Sequence, residues 1–348
     1  MRSMTMRAVF AACMVWAIAA GQNAAAGQHD AAGRDVWLIN THGVCGDCSA
    51  ALESQSVGIW RLAGDCQWVA SDLRSLWATD DPAAPTVIFV HGNNSSPDDA
   101  IQMAWPVYEQ LCGDPSGHPF RLVIWAWPAE RMVRGIRADL QLKACRSDTE
   151  SVLVGQFVDR VQPQVPVTFI GYSFGARIIG GALELLAGGQ LNGCCLPHKN
   201  VAPRVPMRAM LVAAAMDADW LLPGHRDGEA LAQVDQLYLT VNGSDRVLRW
   251  YRLLYGAGGP EALGCAGPAC CACLGPEQAK LDMADVTCAV GREHDWDHYL
   301  ACSGICGKLG WYAFRQQPVG AADAAPPKEK PAAAKVQSSK NNKAVAKN

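Results

Sequence analysis

The chain has 348 residues, of which 50% are hydrophobic and 18% charged, and its net charge is −3. This length and apolar content allow one large domain with a sizeable core. The slightly negative charge argues against a nucleic-acid-binding protein, which normally presents a strongly basic surface.

The first 26 residues have the composition of a secretory signal peptide. Arg2 and Arg7 precede an apolar stretch at 8–20, and small residues ending at Ala26 fit a cleavage site. The apolar stretch is shorter than the roughly 20 residues that span a bilayer. The sequence therefore predicts an exported protein, periplasmic or extracellular, without a stable transmembrane anchor.

The body of the chain alternates apolar runs with helix-like segments. Strands are predicted at 35–40, 66–71, 85–92, 120–128, 165–171, 207–215, 234–242 and 285–291. Helices are predicted at 149–161, 176–189 and 245–256. This alternation indicates an α/β protein whose mostly parallel sheet is covered by helices on both faces.

Residues 316–348 are rich in Ala, Pro and Lys and contain no aromatic residue. Such a composition is typical of a disordered tail. The predicted organisation is a signal peptide at 1–26, one domain at 27–315 and the tail at 316–348.

Cysteine is abundant: the chain has 15, and Cys13 lies in the predicted signal peptide. The remaining even number, in an exported chain, predicts that most form disulfides. Several of these bridges are expected to join the Cys-rich insert 256–278 to Cys302 and Cys306. The Cys-Gly-Asp-Cys stretch 45–48 lacks the surrounding pattern of a redox motif, and no regular second pair completes a zinc site, so no metal is predicted.

The stretch Gly171-Tyr172-Ser173-Phe174-Gly175 has the pattern G-x-S-x-G. It follows a predicted buried strand and precedes a helix, so the chain must turn sharply at the serine. Glycine two residues before and after avoids a steric clash in such a turn. We therefore predict that Ser173 is a nucleophile, although the pattern alone is weak.

Three further segments fall in an order that supports this prediction. The backbone N–H groups of Asn93, after an earlier strand, and of Phe174 are candidates for an oxyanion hole. Asp245 follows a later strand and begins a helix, where a carboxylate can also be only a helix cap. His294 and His298 both follow the last predicted strand. We favour His294 as the base because it suits a loop, whereas His298 lies among residues that suggest helix packing.

The order Ser173, Asp245, then His294 or His298 is similar to that of the α/β-hydrolase superfamily. The stretches "VHGNNSS", "VIWAWP", "GYSFGAR", "AAAMDADW" and "NGSDRVL" resemble exported bacterial serine-hydrolase-like proteins of unknown function with an "HGFN" motif. The resemblance covers roughly residues 85–300. It implies an eight-stranded sheet and a Ser–His–Asp triad, with Asp217 as an alternative acid because some members take the acid from the preceding strand.

The predicted function is a secreted serine hydrolase acting on a small-molecule or lipid-like acyl ester, without a metal or organic cofactor. The alternative is a non-catalytic binding or surface-associated module with the same fold, since this fold hosts many functions. Tyr172 and Phe174 replace the residues of the more usual "GHSLG" and are expected to affect the pocket rather than the triad.

Overall fold

The computed structural model describes residues 35–44, 50–64, 66–196, 204–205, 207–254 and 258–314. The predicted signal peptide and the predicted tail lie outside these residues.

Within the described part of the chain, nine strands form one sheet. They are β1 (Asp35–Asn40), β2 (Gly58–Leu62), β3 (Trp68–Ala70), β4 (Thr86–Val90), β5 (Arg121–Ala126), β6 (Val167–Tyr172), β7 (Met207–Val212), β8 (Val234–Val241) and β9 (Leu281–Asp285). Their order is β3-β2-β1-β5-β4-β6-β7-β8-β9. From β1 to β9 in this order all neighbours are parallel, whereas β2 and β3 form an antiparallel extension at one edge.

The helices are α1 (Leu73–Trp77), α2 (Pro97–Cys112), α3 (Ile136–Arg160), α4 (Phe174–Leu186), α5 (Arg246–Trp250), α6 (Leu263–Ala266), α7 (Thr287–Val290), α8 (Trp296–Leu300) and α9 (Ser303–Phe314). Short 3₁₀ segments occur at Leu52–Ser54, Ala230–Gln233, Tyr251–Leu254 and Cys271–Lys280. None of the helices named here combines the length and the apolar composition that crossing a bilayer requires.

The central strands β4, β5, β6 and β7 are buried along their whole length. Their near-continuous apolar runs are what a parallel strand covered on both faces needs. The chain crosses from β4 to β5 in one direction and from β5 to β6 in the other, so right-handed crossovers place α2 and α3 on opposite faces. Accordingly α3 packs against α4, and α2 packs against α9.

The observed architecture is an α/β-hydrolase-type fold, which confirms the predicted fold class. The sheet has nine strands rather than eight, because β2 was not predicted. The strand predicted at 285–291 is wrong: the last strand ends at Asp285, and α7 follows it. The Asp285 side chain accepts a hydrogen bond from the Thr287 amide at 2.9 Å, which favours a turn at this point over an extended chain.

The expected staple between the Cys-rich insert and Cys302 or Cys306 is also wrong. The insert contains a disulfide between Cys270 and Cys273. Cys302 is buried without a disulfide and Cys306 is partly buried and likewise unbridged, with its thiol directed at the Leu300 carbonyl. The α9 segment is therefore held by packing rather than by a covalent link.

Candidate active site

Ser173 lies at a sharp turn between β6 and α4. It has φ 55° and ψ −115°, a conformation that is strained for any residue with a side chain. A Cβ on Gly171 would lie 2.6 Å from Ile179 Cδ1, and a Cβ on Gly175 would lie 2.0 Å from the Val90 carbonyl oxygen. Both glycines are therefore required for this turn, which holds the Ser173 hydroxyl at the carboxyl edge of the sheet.

The loop after β4 approaches the same point, because β4 and β6 are neighbours in the sheet. A Cβ on Gly92 would lie 2.9 Å from the Tyr172 ring and 3.1 Å from the Ser173 Cβ, so the absence of a side chain at Gly92 favours this close approach. In the sheet, β5 lies on one side of β4 and β6 on the other, so the connections that follow β4 and β5 run in opposite directions. This change of direction opens the crevice in which ligands of parallel sheets bind.

His91 fixes the path of this loop from inside the protein. The Trp127 amide donates to His91 Nε2 at 3.1 Å, so the ring proton is on Nδ1, which donates to the Gly92 carbonyl at 2.8 Å. Burial lowers the pKa of His91 to about 4, and the imidazole is therefore neutral at pH 7. The Trp127 indole returns a hydrogen bond to the His91 carbonyl at 2.9 Å.

The two amides expected to form an oxyanion hole lie at this crevice. Phe174 is the first residue of α4, where a backbone N–H has no partner within the helix. Asn93 lies in the loop after β4. The Asn94 amide anchors this loop by donating a hydrogen bond to the Ala129 carbonyl at 2.8 Å. Neither the Phe174 nor the Asn93 amide donates to an acceptor among the residues that the structure describes. Both are available to a ligand oxygen.

A continuous chain of hydrogen bonds joins three of the predicted residues. His294 Nε2 lies 2.9 Å from Ser173 Oγ, and His294 Nδ1 lies 2.7 Å from Asp245 Oδ2. An ionised carboxylate only accepts, so the imidazole proton is on Nδ1 and Nε2 presents its lone pair to the serine hydroxyl. The Asp245 side chain is completely buried and that of His294 is 10% exposed.

Asp245 is positioned by both of its oxygens. Oδ1 accepts from the amides of Val247 and Leu248 at 2.9 and 3.0 Å, so the residue caps the N-terminus of α5. Oδ2 accepts from the Tyr299 hydroxyl at 2.7 Å in addition to His294. Burial, and next the Asp245 charge, raise the pKa of Tyr299, so this hydroxyl stays protonated and donates. Asp245 therefore both caps α5 and contacts His294.

The two alternative residues lie elsewhere. His298 is on α8, its side chain is 59% exposed, and its imidazole faces Asp295 at 3.2 Å. Asp217 accepts a hydrogen bond from the Tyr251 hydroxyl at 2.6 Å, and burial raises its pKa. Within the described residues neither makes a hydrogen bond to Ser173 or to His294.

Tyr172 contacts the histidine segment, which the sequence did not indicate. Its hydroxyl donates to the His294 carbonyl at 3.0 Å, and its ring stacks on the imidazole at 5.4 Å between centroids. The expectation that Tyr172 affects the pocket rather than the triad is therefore wrong. Trp296 adds a second anchor, since its indole donates to the Met103 carbonyl at 2.8 Å and ties α8 to α2. In the sequence, the only sign of these contacts is that an aromatic residue lies next to Ser173 and another lies two positions after His294.

No set of three or more His, Cys, Asp or Glu side chains suited to a metal ion occurs in the part of the chain that the structure describes. The polar groups at the crevice are instead one hydroxyl, one imidazole, one carboxylate and two backbone amides. This set can transfer a proton from the serine and stabilise negative charge on an oxygen.

No model of a known protein family matches the chain, and no curated protein sequence matches it. Its similarity to solved structures is in overall fold. The catalytic core domain of acetyl xylan esterase from Trichoderma reesei is 14% identical, with a TM-score of 0.35, over 67% of this chain and 97% of that chain. A lipase-esterase related protein from Clostridium acetobutylicum is 11% identical, with a TM-score of 0.29, over 66% of this chain and 93% of that chain.

Proposed function

We propose that this protein is a serine hydrolase that cleaves an acyl ester with Ser173 as nucleophile, His294 as general base and Asp245 as the residue that orients the base. The observation that carries the proposal is the hydrogen-bond chain from Ser173 Oγ through His294 to the buried carboxylate. The strained backbone conformation of Ser173 at the turn after β6 is a second support.

In the first half of the reaction, His294 Nε2 removes the Ser173 proton while Oγ attacks the ester carbonyl carbon. The oxygen that becomes negative accepts hydrogen bonds from the amides of Phe174 and Asn93. His294 then gives the proton to the departing alcohol, which leaves an acyl group on Ser173. Asp245 stabilises the imidazolium that exists between these two transfers.

In the second half, a water molecule takes the place of the alcohol. His294 removes a proton from the water as its oxygen attacks the acyl carbon, and the proton then returns to Ser173 Oγ. The carboxylic acid leaves and the free enzyme is restored. The neutral His91 contributes by holding the loop that carries Asn93, without exchanging protons near pH 7.

The proposed substrate is a small-molecule or lipid-like acyl ester, since the reacting groups recognise a carbonyl rather than a particular acyl chain. We also propose that the protein is exported, on the basis of the signal-like residues 1–26. The cysteine-rich composition, with the Cys270–Cys273 disulfide, supports an oxidising compartment.

Labelling with a fluorophosphonate probe tests the proposal, because the probe reacts with an activated serine and does not require the natural substrate. We expect the wild-type protein to be labelled once, at Ser173, and Ser173→Ala to remove the label. Ser151→Ala is the matched control, since Ser151 is also a buried serine but donates to the Ser147 carbonyl on α3 at 2.8 Å.

Circular dichroism of both variants checks that they are folded. Labelling that persists in Ser173→Ala at another serine would overturn the assignment of the nucleophile. A folded wild-type protein that is never labelled, and that hydrolyses no short acyl ester, would favour the non-catalytic binding module instead.

A further inference from the structure

Four arginines surround a groove beside the candidate active site. The groove has a volume of about 480 Å³ and is lined by Arg246, Arg249, Arg252, Arg292 and Trp250. We call it the arginine groove. Two of its walls belong to segments that also carry site residues: Arg246 follows Asp245 directly, and Arg292 precedes His294 by two positions. The Arg246 amide donates to the Arg292 carbonyl at 3.2 Å, which joins these two walls.

The guanidinium groups of the arginine groove are exposed and form no ion pair with a carboxylate in the part of the chain that the structure describes. All four arginines are exposed, and none of them makes an ion pair with an acidic side chain of the described residues. In contrast, buried arginines of the same protein such as Arg121 and Arg208 pair with Asp80 and Asp235. Four like charges around one groove repel each other, which costs free energy unless an anion occupies the groove.

The apolar part of the groove is also exposed. The Trp250 side chain is 68% exposed, and the neighbouring Val247 is 55% exposed. Tryptophan next to arginine recurs inside the protein, where Arg177 and Arg226 lie over the Trp220 ring at 4.5 and 4.4 Å from its centroid. There Asp148 binds both arginines through one carboxylate oxygen, whereas no carboxylate of the described residues serves this purpose in the arginine groove.

We propose that the arginine groove binds a phosphate group carried by the substrate. The inference rests on the proposed function, because it names the class of ester that the hydrolase acts on: acyl esters of a phosphorylated alcohol. A guanidinium offers a planar fork of N–H donors that matches phosphate oxygens in pairs. A phosphate with nearly two negative charges can engage several guanidinium groups at once, which a single carboxylate cannot do equally well.

The position of the groove determines what it contributes. Its walls are continuous with the segments that hold Asp245 and His294, and the proposal requires that a substrate whose phosphate is bound there extends to Ser173. The groove takes no part in the bond-making steps. It selects the substrate by charge, and its effect is therefore expected in kcat/KM for charged relative to neutral esters.

The test compares acetate esters of similar size that differ in charge: acetylglycerol 3-phosphate, glyceryl monoacetate and acetylcholine. We expect kcat/KM to be highest for the phosphorylated ester, at least tenfold above the neutral one, and lowest for the cation. In Arg249→Gln/Arg292→Gln this tenfold preference is expected to fall to about twofold or less. Arg74→Gln/Arg160→Gln, which removes two exposed arginines outside the groove, is the matched control and keeps the preference.

A wild-type protein that hydrolyses neutral esters as well as phosphorylated ones, in the acetyl and in the dodecanoyl series alike, would overturn the inference and leave the proposed function standing. The same holds if Arg249→Gln/Arg292→Gln keeps the full preference. If no ester is hydrolysed, the proposed function fails, and calorimetric titration of the protein with pyrophosphate then decides the inference separately. Pyrophosphate binding that the Arg249→Gln/Arg292→Gln variant loses supports an anion site, and equal or absent binding in both proteins contradicts it.

A longer ester identifies the source of the phosphate. Dodecanoylglycerol 3-phosphate in micelles presents the same group as a lipid headgroup, whereas the acetyl compound is soluble as a monomer. Preference for both compounds supports a soluble phosphorylated substrate, and preference for the micellar one alone supports a phospholipid headgroup. In each case the loss of preference in Arg249→Gln/Arg292→Gln supports the groove as the binding site.

Discussion

Replacing Asp245 by asparagine changes the hydrogen bonding of the whole candidate site while keeping its shape. The Asp245 carboxylate accepts four hydrogen bonds, from the amides of Val247 and Leu248 and from His294 and Tyr299. An asparagine has one accepting oxygen and one donating NH₂ group. Two of the four groups that donate to Asp245 must therefore face the asparagine NH₂ group, which is itself a donor.

The better orientation keeps the asparagine oxygen on the helix amides, because those backbone donors cannot reorient. The NH₂ group then faces His294 Nδ1, which must accept, and the imidazole proton moves to Nε2. In this tautomer Nε2 has no lone pair for the Ser173 hydroxyl, 2.9 Å away. The corresponding loss in serine proteases is about 10⁴ in kcat, which corresponds to about 5.5 kcal/mol in activation free energy.

The assay is the steady-state hydrolysis of a short acyl ester by Asp245→Asn, with Asp217→Asn as the matched control. Asp217 accepts side-chain hydrogen bonds from Tyr251 and Trp220 and none from Ser173 or His294 among the described residues, so we expect kcat of Asp217→Asn within about threefold of the wild type. Thermal unfolding of both variants separates an effect on the reaction from an effect on the fold. If Asp217→Asn loses several orders of magnitude in kcat and Asp245→Asn does not, the roles of the two carboxylates must be exchanged.

Two further predictions concern stability. Tyr299→Phe removes the hydroxyl that donates to Asp245, and denaturant unfolding should show a free energy of unfolding about 2 kcal/mol lower; an unchanged value would contradict this role. Burial raises the pKa of Glu150 from 4.5 to about 7, so the folded protein retains a proton that the unfolded chain loses, and wild-type stability falls as the pH rises through this range. Glu150→Gln stays neutral, so its stability relative to the wild type should rise by about 3 kcal/mol between pH 4.5 and pH 8, and a difference that is independent of pH would refute the argument.

The parallel core of the fold could be predicted from sequence because its strands are continuous apolar runs. β4 and β6 are buried on both faces, and their sequences "TVIFV" and "VTFIGY" leave little alternative. The edge of the sheet could not be predicted in the same way. β9, with the sequence "LDMAD", is only partly buried and becomes a strand through its pairing with β8. Its polar residues give no periodic signal.

The candidate site was predictable where a residue type and a chain position coincide. Ser173 is marked by two glycines, and Asp245 and His294 by their positions after strands late in the chain. Their roles in catalysis remain predictions until the variants are measured. The contacts of Tyr172 and Tyr299 were not predictable, because a tyrosine beside a motif looks the same whether it fills a core or binds a neighbouring residue. Only the three-dimensional arrangement distinguishes these cases.

The cysteines show a similar limit. Their even number predicts that most form disulfides, but Cys265, Cys271, Cys302 and Cys306 form none, and the Cys270–Cys273 disulfide closes a loop of neighbouring residues. Pairing depends on distances between Cα atoms that composition does not contain. Cys302 was assigned to a staple, whereas its burial gives it the role of a small apolar side chain.

The hydrogen-bond chain at Ser173 spans long distances in the sequence. Ser173 and His294 are 121 positions apart, and Asp245 and His294 are 49 apart. Contacts of this separation require long loops to close, which costs chain entropy and makes them slow to form. A growing polypeptide that ends at Asp285 already contains Ser173 and Asp245 but lacks His294, the proposed acceptor of the serine proton. Under the proposed function, Ser173 therefore has its general base within reach only after the segment that carries His294 has docked.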